Sequence, residues 1–167
     1  MQHLPLATRA PAFNAETLAG QRVSLSRALQ HGCLVIVFGM PQVHASRLVV
    51  GYLRRLKGQV TASQIVICLQ GDEDEVRSYA HGYLDDLDVV HDQDLYLSHI
   101  YRVTHVPTVY LVSATGHIDK AFTGFLRKGL NALAHQVAEA YGAKPKQLIT
   151  ALDNKGEYEL AEKALSG

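Results

Sequence analysis

The residues of this 167-residue chain whose chemistry could be put to use are two cysteines, nine histidines and a serine beside one of them. Cys33 and Cys68 adjoin apolar runs, Leu34 to Val37 and Ile65 to Leu69, and read as buried small hydrophobes. To act as a nucleophile, Ser46 needs a base within hydrogen-bond reach and a group that orients the base. His44 stands two residues away at the same helix start and so points to another side; no acid is placed to orient His105. No His-x-x-His or Glu-x-x-His spacing occurs. Stable zinc or copper sites take three or four protein ligands, so neither a metal nor another cofactor is expected, and the histidines read as solvated loop residues.

The elements that would position these groups alternate in the α/β manner. An entry hairpin at about 13–25 leads to an apolar strand at 34–38, the pattern of a strand covered on both faces. Ala45, Leu48, Val49, Tyr52, Leu53 and Leu56 recur at helical spacing up to Gly58. A strand at 64–69 is followed by Asp72 and Glu75, an acidic form of the capping box, and by a helix with the stripe Val76, Tyr79, Ala80, Tyr83 and Leu84. A short strand at Leu87 to Val90, helical turns between Asp94 and Tyr101, a hairpin of Val109 to Val112 with His117 to Phe122, and a helix carrying Leu130, Leu133, Ala134, Val137, Ala138 and Tyr141 complete the pattern. Gly142 and Pro145 end that helix. Residues 147–152 and 158–165 read as two short helices. The spacing of Gly156, Tyr158, Ala161 and Leu165 resembles the helix turn of a tetratricopeptide repeat, one unit of which cannot bury its own apolar face.

Three blocks carry a likeness to a known family. Ala10-Pro11-Ala12-Phe13 with Leu18-Ala19-Gly20-Gln21-Arg22-Val23-Ser24-Leu25-Ser26 resembles the entry hairpin of thioredoxin-like proteins of the TlpA/redoxin type, related to the AhpC/TSA group. Val35 to Arg47 occupies the place of that family's strand, Cys-x-x-Cys pair and first long helix. Tyr101-Arg102-Val103-Thr104-His105-Val106-Pro107-Thr108 and the strand after it is similar to the family's stretch around a cis-proline. The resemblance runs from about residue 10 to residue 142, in order and spacing. It implies a thioredoxin-like three-layer α/β sandwich of bacterial type: a mixed central sheet with helices on both faces, an N-terminal hairpin and a short C-terminal helical extension. The expected divisions are an arm at 1–9, the domain at 10–142 and the extension at 143–167.

The same resemblance locates what is missing. Where the family has its two cysteines, this chain reads Val43-His44-Ala45-Ser46, and thiol–disulfide exchange needs a thiolate that neither valine nor serine supplies. The peroxiredoxin pattern, beginning at Pro41, likewise meets Ala45 and Leu48. In this fold Cys33 and Cys68 would sit on parallel neighbouring strands, ~10–15 Å apart at the usual rise per residue, beyond the ~7 Å Cα limit of a disulfide. The fold would also bring His44 near the proline loop of His105, Val106 and Pro107. That loop presents backbone groups that can pair with an extended polypeptide. Met40, Pro41, Val43 and Val106 would then line an exposed apolar groove suited to a protein or peptide partner. The expected function is a redox-inactive binding, scaffold or chaperone-like module, with no catalytic residue. An atypical thiol–disulfide oxidoreductase or antioxidant protein using Cys33 or Cys68, and a co-chaperone with a tetratricopeptide-like tail, are the alternatives. A homodimer through the C-terminal helices is a further expectation.

Composition bounds these readings. At 47% hydrophobic residues the chain can bury a core. Sixteen basic residues balance sixteen acidic ones, which forces no basic face and argues against nucleic acid as partner. The one acidic run, Asp72 to Glu75, opens a helix, where the macrodipole favours it. No stretch approaches the ~20 apolar residues of a membrane span, and residues 1–9 have no signal-peptide pattern. No membrane partner is expected, and the location is expected to be cytoplasmic as written, or periplasmic had a signal been removed.

Overall fold

The computed structural model describes residues 3–166 of the chain; the first two residues of the expected arm and the last of the expected extension lie outside them. Residues 3–10 pack along the domain: Leu4 is buried and its N–H donates to Tyr110 Oη at 2.9 Å. β1 (Asn14–Glu16) and β2 (Arg22–Ser24) form the antiparallel entry hairpin. Ser24 then caps a helix absent from the sequence reading, α1 (Leu25–Leu29), its Oγ accepting from Arg27 N–H at 3.2 Å. The signal was a serine before Leu25 with a free N–H three residues on.

β3 (Leu34–Gly39) is buried at every position, as a strand covered on both faces must be. α2 (His44–Gln59) turns Ala45, Val49, Val50, Leu53 and Leu56 inward, and β4 (Gln64–Leu69) runs parallel to β3. Asp72 caps α3 (Glu73–Ala80), accepting from the N–H groups of Asp74 and Glu75 at 3.1 and 3.3 Å. This helix stops four residues short of the expected stripe. His81 leaves helical geometry at ψ 123° and Gly82 takes φ +72°, so Tyr83 and Leu84 fall in the turn beyond. β5 (Asp88–His91), α4 (Tyr96–Ile100), β6 (His105–Val106), β7 (Thr108–Val112), β8 (Ile118–Thr123), β9 (Phe125–Leu126) and α5 (Arg127–Ala140) follow.

The five-stranded sheet has the order β5-β4-β3-β7-β8. β3, β4 and β5 are parallel and β7 and β8 antiparallel, which makes the sheet mixed. α2 packs on β3, β4 and α5, and the architecture is the three-layer thioredoxin-like sandwich. Phe38 stands opposite Cys68. Cys33 is five residues from Phe38, so the two thiols lie roughly 16 Å apart along the ladder. Both are free and buried.

The tail is where the structure corrects the sequence reading. After α5 the described residues hold a single 3₁₀ turn, Ala151–Asp153, and then extended chain: β10 (Tyr158–Glu159) pairs antiparallel with β9, and β11 (Glu162–Lys163) pairs antiparallel with β6. Residues 158–165 therefore form no helix, and neither the tetratricopeptide-like turn nor the helical dimer surface exists in them. The composition had suggested otherwise because Ala, Glu, Lys and Leu are good helix formers. An isolated helix of eight residues is marginal in water, however, whereas an extended segment can satisfy its N–H groups on the free edges of β9 and β6.

Nor is the tail separate from the domain. Leu148 and Ile149 are fully buried. Asn131 brackets Ile149, its Oδ1 accepting from Ile149 N–H at 2.8 Å and its Nδ2 donating to Ile149 O at 3.2 Å. Arg55 Nη1 donates both to Leu148 O at 3.1 Å and to Asp153 Oδ1 at 2.9 Å. The core of the fold thus continues past residue 142.

Candidate functional site

β3 delivers the chain to the loop Met40-Pro41-Gln42-Val43, which turns into α2. Val43 N–H donates to Met40 O at 3.1 Å, and Arg47 Nη1 donates to Pro41 O at 2.8 Å. Ser46 is buried, and its Oγ accepts from Met40 N–H at 3.2 Å. A Cβ added at Gly39 would come within 3.2 Å of both Ser46 Cβ and Oγ, so strand and helix meet here in tight contact. Ser46 holds the loop closed, and among the described residues no basic side chain hydrogen-bonds to it. Gln42 Nε2 donates to Glu75 Oε2 and ties the loop to α3.

The expected exposed groove is corrected by burial. Val43 is 5% exposed, Val106 is fully buried, and Met40 and Pro41 are half-buried. Val43 and Ala45 belong to the core cluster; of Val43, His44, Ala45 and Ser46, the histidine alone faces outward. The groove exists as backbone, and the chain's own tail lies in it. Glu162 stands opposite Val106 and Lys163 opposite His105. Ala164 N–H donates to Thr104 O at 3.0 Å. Pro107, after a cis Val106–Pro107 bond, accepts from Gly124 N–H at 2.8 Å.

Gly124 marks a close approach of tail and domain. It has φ +81°, and a Cβ there would stand 2.7 Å from Glu159 O and 3.2 Å from Ala161 N. Only glycine suits that backbone conformation and that contact. The side chains of His44 and His105 have different partners, His44 in the tail and His105 within its own loop. His44 Nδ1 lies 2.9 Å from both carboxylate oxygens of Glu159, while His105 Nδ1 lies 3.0 Å from Thr104 Oγ1. Among the described residues no group of three or more His, Cys, Asp or Glu side chains is placed to hold a metal ion.

Sequence reasoning missed the polar chain beneath the groove. Asp92, buried, accepts from Leu97 N–H, Ser98 N–H and Ser98 Oγ at 3.1, 2.8 and 2.6 Å. Gln70 Nε2 donates to Ser98 Oγ at 2.8 Å, and Gln70 Oε1 accepts from Leu165 N–H, in the tail, at 2.9 Å. Ser98 spends its one proton on Asp92, so it can only accept from Gln70. This fixes the amide with its oxygen toward the tail. The available signal was Gln70 itself, a polar residue closing the apolar run Ile65 to Leu69.

The thiols have no place in this site. Burial pushes the Cys33 thiol up to about 11, and burial holds Cys68 well above the ordinary thiol range, the carboxylate of Asp92 adding to the effect. A concavity of about 980 Å³ lies by the entry-hairpin turn and the start of β5, lined by Leu18, Gln21, Arg77, His81 and Asp88 among others. None of the motif or proline-loop residues reaches it.

No protein-family model matches the sequence, and no curated relative does. Solved structures do resemble it. A protein from Chlorobium tepidum assigned as thiol:disulfide interchange protein DsbE superposes with TM-score 0.74 at 20% identity, over 83% of this chain and 99% of that one. A protein assigned as a thioredoxin from Neisseria meningitidis gives TM-score 0.69 at 23% identity, over 80% and 89%. A hypothetical protein from Sinorhizobium meliloti gives TM-score 0.69 at 15% identity, over 96% of this chain and 93% of that one; such coverage reaches into the segment after residue 142. At these identities the likeness establishes the thioredoxin-like fold and leaves the chemistry to the residues. No helix is long and apolar enough to cross a membrane among the described residues.

Proposed function

We propose that this chain is a redox-inactive thioredoxin-like module whose cis-proline edge binds an extended protein segment by strand addition. The observation that carries the reading is the pairing at β6. The positions of the family's two thiols hold a buried valine and a serine hydrogen-bonded to Met40, while the backbone beside them receives an extended chain in antiparallel register. Main-chain pairing gives affinity to such an edge, and the flanking side chains give selectivity.

The names of the structural neighbours speak of thiol–disulfide interchange. Carrying that activity over would require a reachable thiolate, and Cys33 and Cys68 are buried with raised pKa values. The reading holds in cytoplasm or periplasm alike, since the two thiols are too far apart to pair. The protein is expected to give no dithiothreitol-dependent insulin reduction. The Val43→Cys/Ser46→Cys double variant restores the pair at the start of α2 and is expected to acquire measurable activity. Turnover by the unaltered chain, abolished by Cys33→Ala or Cys68→Ala, would replace this reading with that of an oxidoreductase.

A further inference from the structure

We infer that residues 157–165 are a displaceable strap, filling the strand-acceptor edge in cis so that a partner segment gains it only by competing with the chain's own tail. The inference rests on the strand-addition reading and adds its regulation and the chemistry of the competitor.

The two halves of the tail are held by different forces. The near half is fixed by apolar burial of Leu148 and Ile149 and by the Asn131 and Arg55 clamps. Along the far half Tyr158, Leu160, Glu162, Lys163 and Leu165 are exposed, and Ala164 is the one buried apolar residue. Each ladder there is two residues long. A segment held by main-chain hydrogen bonds, with almost no apolar area behind them, is of the kind that opens locally while the domain stays folded. The exposed run Asn154 to Gly156, with Asn154 at φ +52° and Lys155 O accepting from Arg127 Nη1 at 3.0 Å, separates the two halves and offers a hinge.

The edge is nonetheless shaped for an occupant. Gly124 makes room for its backbone, and Gln70 turns a buried acceptor toward its N–H. An acceptor left unpaired there would be costly, so whatever replaces the strap must also be extended and bring an N–H to that point. The strap is then a template for the competitor: a carboxylate where Glu159 meets His44, a small side chain where Ala164 is buried, and free choice where Glu162 and Lys163 face solvent. A tail tethered through a few residues acts at an effective concentration on the order of millimolar. Against a free peptide binding at about 0.1 mM, it weakens apparent affinity roughly tenfold or more.

The test uses the full chain and a fluorescent peptide with the sequence of residues 157–166, read by anisotropy and paired with amide exchange at Leu165, whose N–H both variants below retain. Ala164→Pro removes the N–H given to Thr104 while leaving every groove residue in place. A second variant inserts twenty Gly/Ser residues after Lys155, leaving both strap and groove unaltered. The expected results are peptide binding at least tenfold tighter in Ala164→Pro than in the parent, a several-fold gain in the insertion variant, and faster tail exchange in both. Equal peptide affinity in parent and variants would overturn the strap while leaving strand addition standing. Freely exchanging tail amides with no peptide binding in any form would overturn strand addition and the strap with it. Tail amides that stay protected in both variants would show that the segment is a fixed part of the fold. A concentration-dependent dimer with protected tails would put one copy's tail in another copy's groove and overturn the cis arrangement.

Discussion

Truncating Leu148 tests whether the chain after α5 belongs to the cooperative core. Its side chain is fully buried, and Leu→Ala at such a site removes about 2–5 kcal/mol, the lost transfer energy plus the cavity left behind. The carbonyl of Leu148 that receives Arg55 is main chain, so the clamp survives the substitution and the loss is one of packing. For a chain of this size each kcal/mol shifts the thermal midpoint by about 2–4 °C. A central loss of about 3 kcal/mol therefore predicts a midpoint lower by about 6–12 °C for Leu148→Ala. Leu160→Ala provides the contrast within the same tail: at 74% exposure it should change stability by less than about 0.5 kcal/mol. Thermal and urea unfolding followed by far-ultraviolet circular dichroism measure both. A Leu148→Ala midpoint within about 2 °C of the parent, or a separate early transition for the tail, would refute the continuous core.

Three further outcomes follow from burial and charge. Cys33 and Cys68 should react slowly with a disulfide reagent until the domain unfolds; with the Cys33 pKa near 11, only roughly one molecule in a thousand carries that thiolate at pH 8, and rapid native labelling would contradict the site described. Val43→Asp should destabilise the fold, because desolvating a carboxylate at a 5%-exposed position costs several kcal/mol while the helix N-terminus returns about 0.3–1; an unchanged urea midpoint would show that the loop can turn this side chain to water. Asp153 should make tail docking acid-sensitive. The Thr150 N–H and then Arg55 hold its carboxyl below the ordinary value of 3.8, so its contribution is present above that value and is lost as pH falls through the lower folded one. Asp153→Asn should remove that acid-dependent step in tail amide exchange, and an undiminished step in the variant would assign it elsewhere.

The sequence by itself determined the strands of the sheet and the sulfur-free turn into α2. An all-apolar run as short as Leu34 to Phe38 reads as a strand covered on both faces, and the periods of α2 and α5 follow from side-chain spacing along one element. Both are local signals, as is the absence of sulfur at positions 43 and 46. Local signals also misled. Residues 158–165 have the composition of a helix, and only the tertiary structure decided that they run extended, because the partners of their backbone groups are supplied by β6 and β9, more than thirty residues away. The exposure of Val43 and Val106 was undecidable for the same reason, since burial depends on what the rest of the fold and the tail bring over a position. The turn of Gln70 toward Leu165 depends likewise on Ser98 and Asp92, which no spacing along the chain connects. What one stretch of chain can satisfy within itself was legible in the sequence; what needed a partner from a distant stretch had to wait for the fold.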